Sequence, residues 1–494
     1  MIFSSLLQKI EYKVISGDAD VCEVSSLCRD SRQRSLGGLF VCIKGARSDG
    51  HDFAAQAYAN GCRAFLVERP IELPSDVCIA ITSDTRIGLA AVSAEFYGNP
   101  SDELYVVGIT GTKGKTTTAL AAYDILNKCG LPAGYIGSNG VKYAKRSFET
   151  ANTTPESCEL QKHMRDMVDV GIKYLIMEIS SQAIYMNRVH RIKFDTAVFT
   201  NLYVDHIGGA EHPTFEHYRD CKKRLFTDFG AECIICNTDD PYADYMTEDA
   251  SARVVKCSPA GNTKADIYAS EISNERSNEA LSVAFKINCG DKEISANVPM
   301  PGDFSVCNAL IALAICKEAG LSLAGAAKAL SGVCAEGRFE TVPTGSGALF
   351  IIDYAHNGAS LSAALKTLRS YNPKRLICLF GSVGGRTFGR RKELGEVAAS
   401  LADFCILTSD NPDFEDPDNV INDIAGCFNE GTCPYVRIPD RREAIRFAVA
   451  NAKSGDIILL AGKGHETYQL VCGKKLPFSE KTIIEEALLE LAEV

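Results

Sequence analysis

Residues 104–118 read Leu-Tyr-Val-Val-Gly-Ile-Thr-Gly-Thr-Lys-Gly-Lys-Thr-Thr-Thr, and no other stretch limits the fold as much. An apolar run (Tyr105, Val106, Val107, Ile109) ends in a glycine turn, and an alanine- and leucine-rich segment over 118–128 continues at helical spacing. Strand, loop and helix in that order aim consecutive backbone N–H groups at a phosphate chain from the positive end of a helix. Gly111 and Gly114 let the backbone approach closely, with Thr112, Lys113 and Thr117 completing the loop. Lys115 is expected to reach the terminal phosphates and the Thr116 hydroxyl to take a place on Mg²⁺. Ile109 stands where the first glycine of the full GxxxxGK[ST] pattern belongs, so a plain glycine turn ahead of a helix is the competing reading. The joint occurrence of strand, two glycines, Lys-Thr and helix favours nucleotide binding.

A chain of 494 residues is expected to split into roughly three domains. No apolar run approaches a membrane span, and residues 1–12 lack the basic lead and long apolar core of a signal peptide, so a cytoplasmic protein is expected. The 20 cysteines are scattered singly, and the one close pair, Cys233 and Cys236, lies in a strand-like run. Reduced, buried thiols fit better than disulfides or zinc. A net charge of −11 argues against nucleic acid as a partner and leaves small anionic molecules open.

Residues 1–100 read as a first unit of short strands (39–43, 64–67, 77–82) and helix-like segments (52–60, 86–97). Within it, Asp30-Ser31-Arg32 and residues 45–51 are polar loops beside strands, and Asn99-Pro100-Ser101-Asp102 punctuates its end. Over 101–335, strand and helix alternate as in a doubly wound sheet. The run 174–179 carries Glu178 near its carboxyl end, followed by Ser180 and Ser181, and the run 194–200 leads to Asn201 and then Asp205-His206. Ligands collect beyond the carboxyl ends of such strands, so Glu178 and His206 are candidate Mg²⁺ ligands, against the plainer reading of solvated loop residues. Helices are expected over 309–320 and 322–330.

Residues 336–494 carry the clearest doubly wound pattern, with apolar runs at 349–352, 376–380, 404–407 and 457–460. Each empties into a polar cluster: Asp353-Tyr-Ala-His-Asn357, then 381–391, then Ser409-Asp410-Asn411-Pro412-Asp413, then Gly462-Lys463-Gly464-His465-Glu466. Four clusters on one sheet edge make a site. Asp440-Arg-Arg-Glu443 opens a helix with the pattern of a capping box and is expected to be structural.

Together these motifs resemble the Mur ligases of cell-wall precursor synthesis, and within them the MurE type that adds the third residue of the stem peptide. The resemblance rests on Thr110-Gly-Thr-Lys-Gly-Lys-Thr116; Asn152-Thr153-Thr154; Glu178-Ile-Ser-Ser181 with Arg188; Thr200-Asn201 with Asp205-His206; Asp353-Tyr-Ala-His356; Asp410-Asn-Pro412; and Gly462-Lys-Gly-His-Glu466. It implies an α/β chain of three domains: 1–100 binding the UDP-sugar, 101–335 a central P-loop ATPase-like sheet, and 336–494 a doubly wound, Rossmann-like domain for the amino acid. The implied activity is an ATP- and Mg²⁺-dependent amide ligase acting on UDP-N-acetylmuramoyl-L-alanyl-D-glutamate through an acyl phosphate, with a monomer as the expected state. By the family's motifs Ser31 contacts the uridine part, and Asn152, Thr153, Thr154, Ser180, Met186 and Arg188 hold the dipeptide end. Asn308, Arg338 and Asp353 join the phosphate loop on ATP. Lys222 aligns with the lysine that the family carbamylates to hold a metal, although by sequence alone it is one of a basic trio on a helix face.

Gln182, Met186 and Ser305 depart from the family's common His, Gln and Asn. The departure with most consequence is Asp413, because diaminopimelate-adding members read Asp-Asn-Pro-Arg, whose arginine meets the distal carboxylate. An aspartate there is expected to repel that carboxylate and accept from an ammonium, which points to L-lysine, with Arg386 on its α-carboxylate and Asp410, Asn411, Gly462 and Glu466 around it. Arg390 or Arg391 is an alternative cation for diaminopimelate. Folylpolyglutamate synthase, a nucleotide-binding switch and a non-catalytic homologue are the other readings; the N-terminal unit with Asp30-Ser-Arg32 argues against the first.

Overall fold

The computed structural model describes residues 1–45, 48–205, 207–208, 211–333, 337–385, 388–428 and 433–492. The chain divides into two compact units, Met1–Tyr268 with Ile311–Ala326, and Ala269–Leu310 with Ala327–Val494.

The first unit begins with a five-stranded sheet in the order Lys13–Ser16, Cys78–Ile81, Ala64–Val67, Gly38–Val41, Ser26–Cys28. All neighbours are parallel except the first pair. One apolar layer, including Leu39, Leu66 and Val92, lies on one face, and another, including Phe40, Phe65 and Ile79, is formed by the alternate residues of the same strands.

The central sheet of this unit runs Arg253–Ser258, Cys233–Asn237, Thr196–Phe199, Tyr105–Thr110, Tyr174–Glu178, Ala133–Gly137, Gly140–Tyr143, Arg146–Phe148. Six strands are parallel, and the last two form antiparallel turns. The register matters for function: Ile109 pairs with Glu178 and Thr110 with Phe199. The carboxyl ends of three strands therefore finish level, at the start of the helix Lys115–Lys128. That helix begins one turn earlier than the spacing over 118–128 suggests, because Gly114, at φ +83°, turns the chain directly into it.

In the second unit the strand Leu281–Cys289 pairs antiparallel with Lys292–Val298 and has Ile267–Arg276 as its other neighbour. These strands depart from the alternation of strand and helix expected through residue 335; Leu281–Cys289 alternates buried with half-buried residues, as a one-sided sheet does. The helix expected over 309–320 begins earlier, as Asp303–Glu318. The C-terminal sheet runs Glu340–Pro343, Leu349–Asp353, Ile457–Ala461, Leu376–Phe380, Phe404–Leu407, Tyr435–Arg437, parallel but for its first pair. It is covered on both faces by apolar layers, which is why its strands read as unbroken hydrophobic runs. Among the described residues no helix is long and apolar enough to cross a membrane.

Candidate active site

The phosphate loop is held by the neighbouring strand end. Thr112 N donates to Asn201 O at 2.9 Å, Lys113 N to Asn201 Oδ1 at 2.8 Å, and Thr200 Oγ1 to Lys113 O at 2.8 Å. Gly111 is obligatory on two counts: φ is +149°, and a Cβ there would stand 2.0 Å from Thr200 Oγ1. Lys115 Nζ reaches back over the loop to Gly111 O (2.8 Å) and Thr112 O (3.2 Å).

Beside the loop, the Thr116 hydroxyl donates to Glu178 Oε2 at 2.9 Å. Glu178 is 1% exposed, and its other oxygen accepts from Tyr135 OH (2.6 Å) and Ser138 N (2.9 Å). A buried carboxylate at the carboxyl end of one parallel strand and a hydroxyl in the first turn of the helix after another are the hard oxygen donors that Mg²⁺ takes, so the residues fit that ion. His206 lies outside the described residues.

The basic trio on the helix Phe215–Thr227 splits. Lys223 pairs with Glu248 and Arg224 with Asp228 near the surface, while Lys222 is 1% exposed. Its Nζ donates to Gly111 O at 2.9 Å and lies 4.6 Å from the centre of the Tyr218 ring. Burial first, and the Lys115 ammonium second, hold its pKa well below the usual lysine range. A buried amine beside the phosphate loop is placed for chemistry that a solvated lysine is not.

The segment ahead of Glu178 brings the dipeptide candidates together. Thr154 Oγ1 donates to Glu178 O (2.8 Å) and accepts from Ser180 N (3.0 Å), and Arg188 Nη1 donates to Thr154 O (3.1 Å). Arg188 also pairs with Glu156 at 2.9 Å. Thr153 Oγ1 meets Ser138 Oγ at 3.0 Å, and Ser138 Oγ reaches Glu178 Oε2 at 3.4 Å. The sequence reading missed Ser138 and Tyr135; Ser138 stands just past the carboxyl end of Ala133–Gly137, the position that signals a site in such sheets. Asn152 is engaged through its carbonyl, which accepts from Thr150 Oγ1, and Met186 ends the short helix Ser181–Tyr185. Ser31 donates to Gln56 Oε1 at 2.7 Å in the N-terminal part.

In the second unit, Asp353 ends its strand and accepts from Phe339 N (3.0 Å) and Ala355 N (2.9 Å); burial pushes its carboxyl up against the pull of Arg338. The Arg338 guanidinium lies 5.0 Å from the centre of the Tyr354 ring, and Asn308 is buried near the start of Asp303–Glu318. At the same sheet edge the fully buried Lys463 donates to Asn411 Oδ1 and Glu466 Oε2, both at 2.9 Å, and Asp410 Oδ1 lies at 3.5 Å. Asn411 Nδ2 donates to Glu466 at 2.9 Å, and a Cβ on Gly462 would come 2.7 Å from Asp410 Oδ2. Arg441, in the stretch read as a capping segment, does more than cap: it is buried, pairs with Glu480 at 2.7 Å and donates to Ser409 O and Ala461 O. The cap itself is Asp440, which accepts from Arg442 N and Glu443 N.

Asp413 is occupied otherwise than its sequence context suggests. It sits at φ +53°, a conformation that aspartate tolerates better than most residues, and its Oδ1 accepts from Gly473 N at 2.8 Å. Its carboxylate thus ties the loop to the hairpin Tyr468–Val471 and Lys474–Pro477. Arg391 is also unavailable as a ligand cation: fully buried, it is held by Glu415 and Asp423. Arg386 lies outside the described residues.

Residues 23–99 match the Mur ligase family catalytic domain, 109–316 the Mur ligase middle domain, and 337–464 the Mur ligase glutamate ligase domain. A UDP-N-acetylmuramoyl-L-alanyl-D-glutamate–2,6-diaminopimelate ligase of Caldanaerobacter subterraneus is 39% identical over 98% of both chains. One of the same name from Geobacillus kaustophilus is 38% identical over 95% of both. A solved structure of a ligase of that name superposes with a TM-score of 0.74 at 27% identity, over the whole of both chains. These names do not support the expectation of L-lysine drawn from Asp413, and the Gly473 contact gives that aspartate a structural reason to be present.

Proposed function

The chain belongs to the Mur ligase family, as an ATP-dependent acid–amino-acid ligase of three α/β domains, and from that premise we propose that it joins meso-diaminopimelate to UDP-N-acetylmuramoyl-L-alanyl-D-glutamate. The observation that carries the choice of amino acid is the likeness to relatives named as 2,6-diaminopimelate ligases, and the bond from Gly473 N to Asp413 supports it by giving that aspartate a structural role. The half-buried Arg390 is the cation proposed for the distal carboxylate and Arg386 for the α-carboxylate, with Glu466 and Asn411 shaping the pocket through Lys463. Domain limits at 1–100, 101–335 and 336–494, a cytoplasmic location and a monomeric state belong to the same reading.

The dipeptide's free carboxylate attacks the γ-phosphorus of ATP; ADP leaves and an acyl phosphate forms. The amino nitrogen of diaminopimelate then attacks the acyl carbon, phosphate departs with the bonding electrons, and the nitrogen gives up its proton. The protein's share is positioning and charge neutralisation. The loop amides and Lys115 cradle the β- and γ-phosphates, while Asn308, Arg338 and Asp353 hold the rest of ATP. Thr154, Ser180 and Arg188 hold the dipeptide end, Thr153, Asn152 and Met186 line it, and Ser31 meets the uridine. Thr116, Glu178, His206 and Lys222 as a carbamate would hold Mg²⁺, which neutralises phosphate charge when bound. Burial and the Lys115 ammonium lower the pKa of Lys222 towards the neutral amine, the form that adds CO₂, and this direction supports the carbamate.

ADP release measured with ATP, Mg²⁺ and the UDP-muramoyl dipeptide tests the reading, with meso-diaminopimelate, lysine or ornithine added in turn. Turnover with meso-diaminopimelate alone is expected. Turnover with lysine alone would return Asp413 to a specificity role and overturn the choice of amino acid.

A further inference from the structure

The proposed activity leaves unused a cluster on the helix that carries Lys222. His217 and Cys221 lie four residues apart on Phe215–Thr227 and so share one face of it. His212, from the preceding segment, is 1% exposed and turns its Nδ1 to within 2.8 Å of His217 Nδ1. Cys221 Sγ lies 3.8 Å from the same His217 atom, and the three ligand atoms all fall within 4.8 Å of one another. Among the described residues this is the group of three histidine, cysteine or acidic side chains that converges in this way.

We propose that His212, His217 and Cys221 form a site for a soft divalent cation of the zinc type, separate from the oxygen donors at Thr116 and Glu178. The donor set decides the class of ion, since two imidazoles and a thiolate suit zinc and do not suit magnesium. Donors around a tetrahedral zinc stand roughly 3.3 to 3.8 Å apart, so the observed spacings need only small side-chain rotations. A supporting contact is already in place: His212 Nε2 lies 2.8 Å from Ser181 Oγ. With Nε2–H donating to that hydroxyl, the His212 Nδ1 lone pair faces the cluster, which is how metal-binding histidines are oriented. Tyr185, edge-on to His217 with ring centres 5.0 Å apart, and Tyr218, 5.3 Å from His212, wall the site, and half-exposed His217 leaves an approach from solvent.

On binding, the Cys221 thiol loses its proton to solvent, the Nδ1 proton of His217 moves to Nε2, and a water molecule fills the fourth position. The bound ion joins the segment before the helix to its second turn, one residue from Lys222, and through His212 to Ser181 beside the dipeptide-binding Ser180. It therefore fixes the helix that holds Lys222 against the phosphate loop.

The test uses the full chain, reduced and stripped of metal, titrated with Co²⁺ and then Zn²⁺, alongside Cys221→Ser and His217→Gln. The other cysteines are common to all three proteins and cancel. Wild type is expected to bind one equivalent of cobalt more than either variant, with a thiolate-to-cobalt charge-transfer band that one equivalent of zinc removes. Zinc is also expected to raise the melting temperature of wild type and not of the variants, whose metal-free melting shows that they are folded. Equal stoichiometry and equal spectra in all three proteins would overturn the site.

Discussion

The phosphate loop and the carboxyl edge of the C-terminal sheet are both polar clusters at the ends of parallel strands, yet they are built in opposite ways. At the loop, backbone does most of the work: glycines 111 and 114 shape it, Thr200 and Asn201 clamp it, and Lys115 donates to two loop carbonyls. At the C-terminal edge the side chains bind one another, with Lys463 at the centre of Asp410, Asn411 and Glu466, none of them more than lightly exposed. A loop held by backbone leaves its charged groups for the substrate. A cluster held by side chains spends some of them on its own architecture, so that a residue in a binding motif need not be a binding residue.

Mutation separates the two designs. Lys115→Met is expected to lower the rate of ADP release on the order of 10³-fold, as loss of a positioned cation on a transferring phosphoryl group does, with the melting temperature within a degree or two of wild type. Lys463→Met reverses the pattern. It leaves buried carboxylates facing each other, and about 3 kcal/mol of stability should disappear in urea denaturation; unchanged stability would erase the contrast between the two edges. Ser138→Ala removes one hydroxyl joining Thr153 to Glu178, worth about 1 kcal/mol, and should appear as a roughly fivefold rise in KM for the UDP-dipeptide. Asp413→Asn is the smallest change. Asparagine tolerates the same left-handed backbone and its amide oxygen can accept from Gly473, so stability should move by about 0.5 kcal/mol or less and amino-acid preference not at all. A switch of preference would show that the carboxylate meets the substrate.

Much of this was legible because its causes are local. Residues 105–118 carry strand, turn and helix signals in contiguous sequence, and the four apolar runs after residue 349 are unbroken because their sheet is covered on both faces. The strands over 267–298 were missed because a one-sided strand of half-exposed residues resembles a polar loop when read without its partners. Ser138 and Tyr135 were missed for another reason: a lone serine after a strand and a lone tyrosine within one carry no motif. Arg441 looked like part of a helix cap, and nothing local announces that its guanidinium reaches Ser409, Ala461 and Glu480.

The sequence by itself determined the phosphate loop, the parallel sheets and the family, since each rests on short-range pattern and on the order of motifs. Only the tertiary structure decided which of three adjacent basic residues is buried, because burial depends on what the helix Phe215–Thr227 packs against, and it chose Lys222. It also decided that Asp413 faces a hairpin amide and that His212, His217 and Cys221 share a few ångströms. A side chain's charge is written in the sequence, but its partner is set by distance, and distance exists only once the chain has folded.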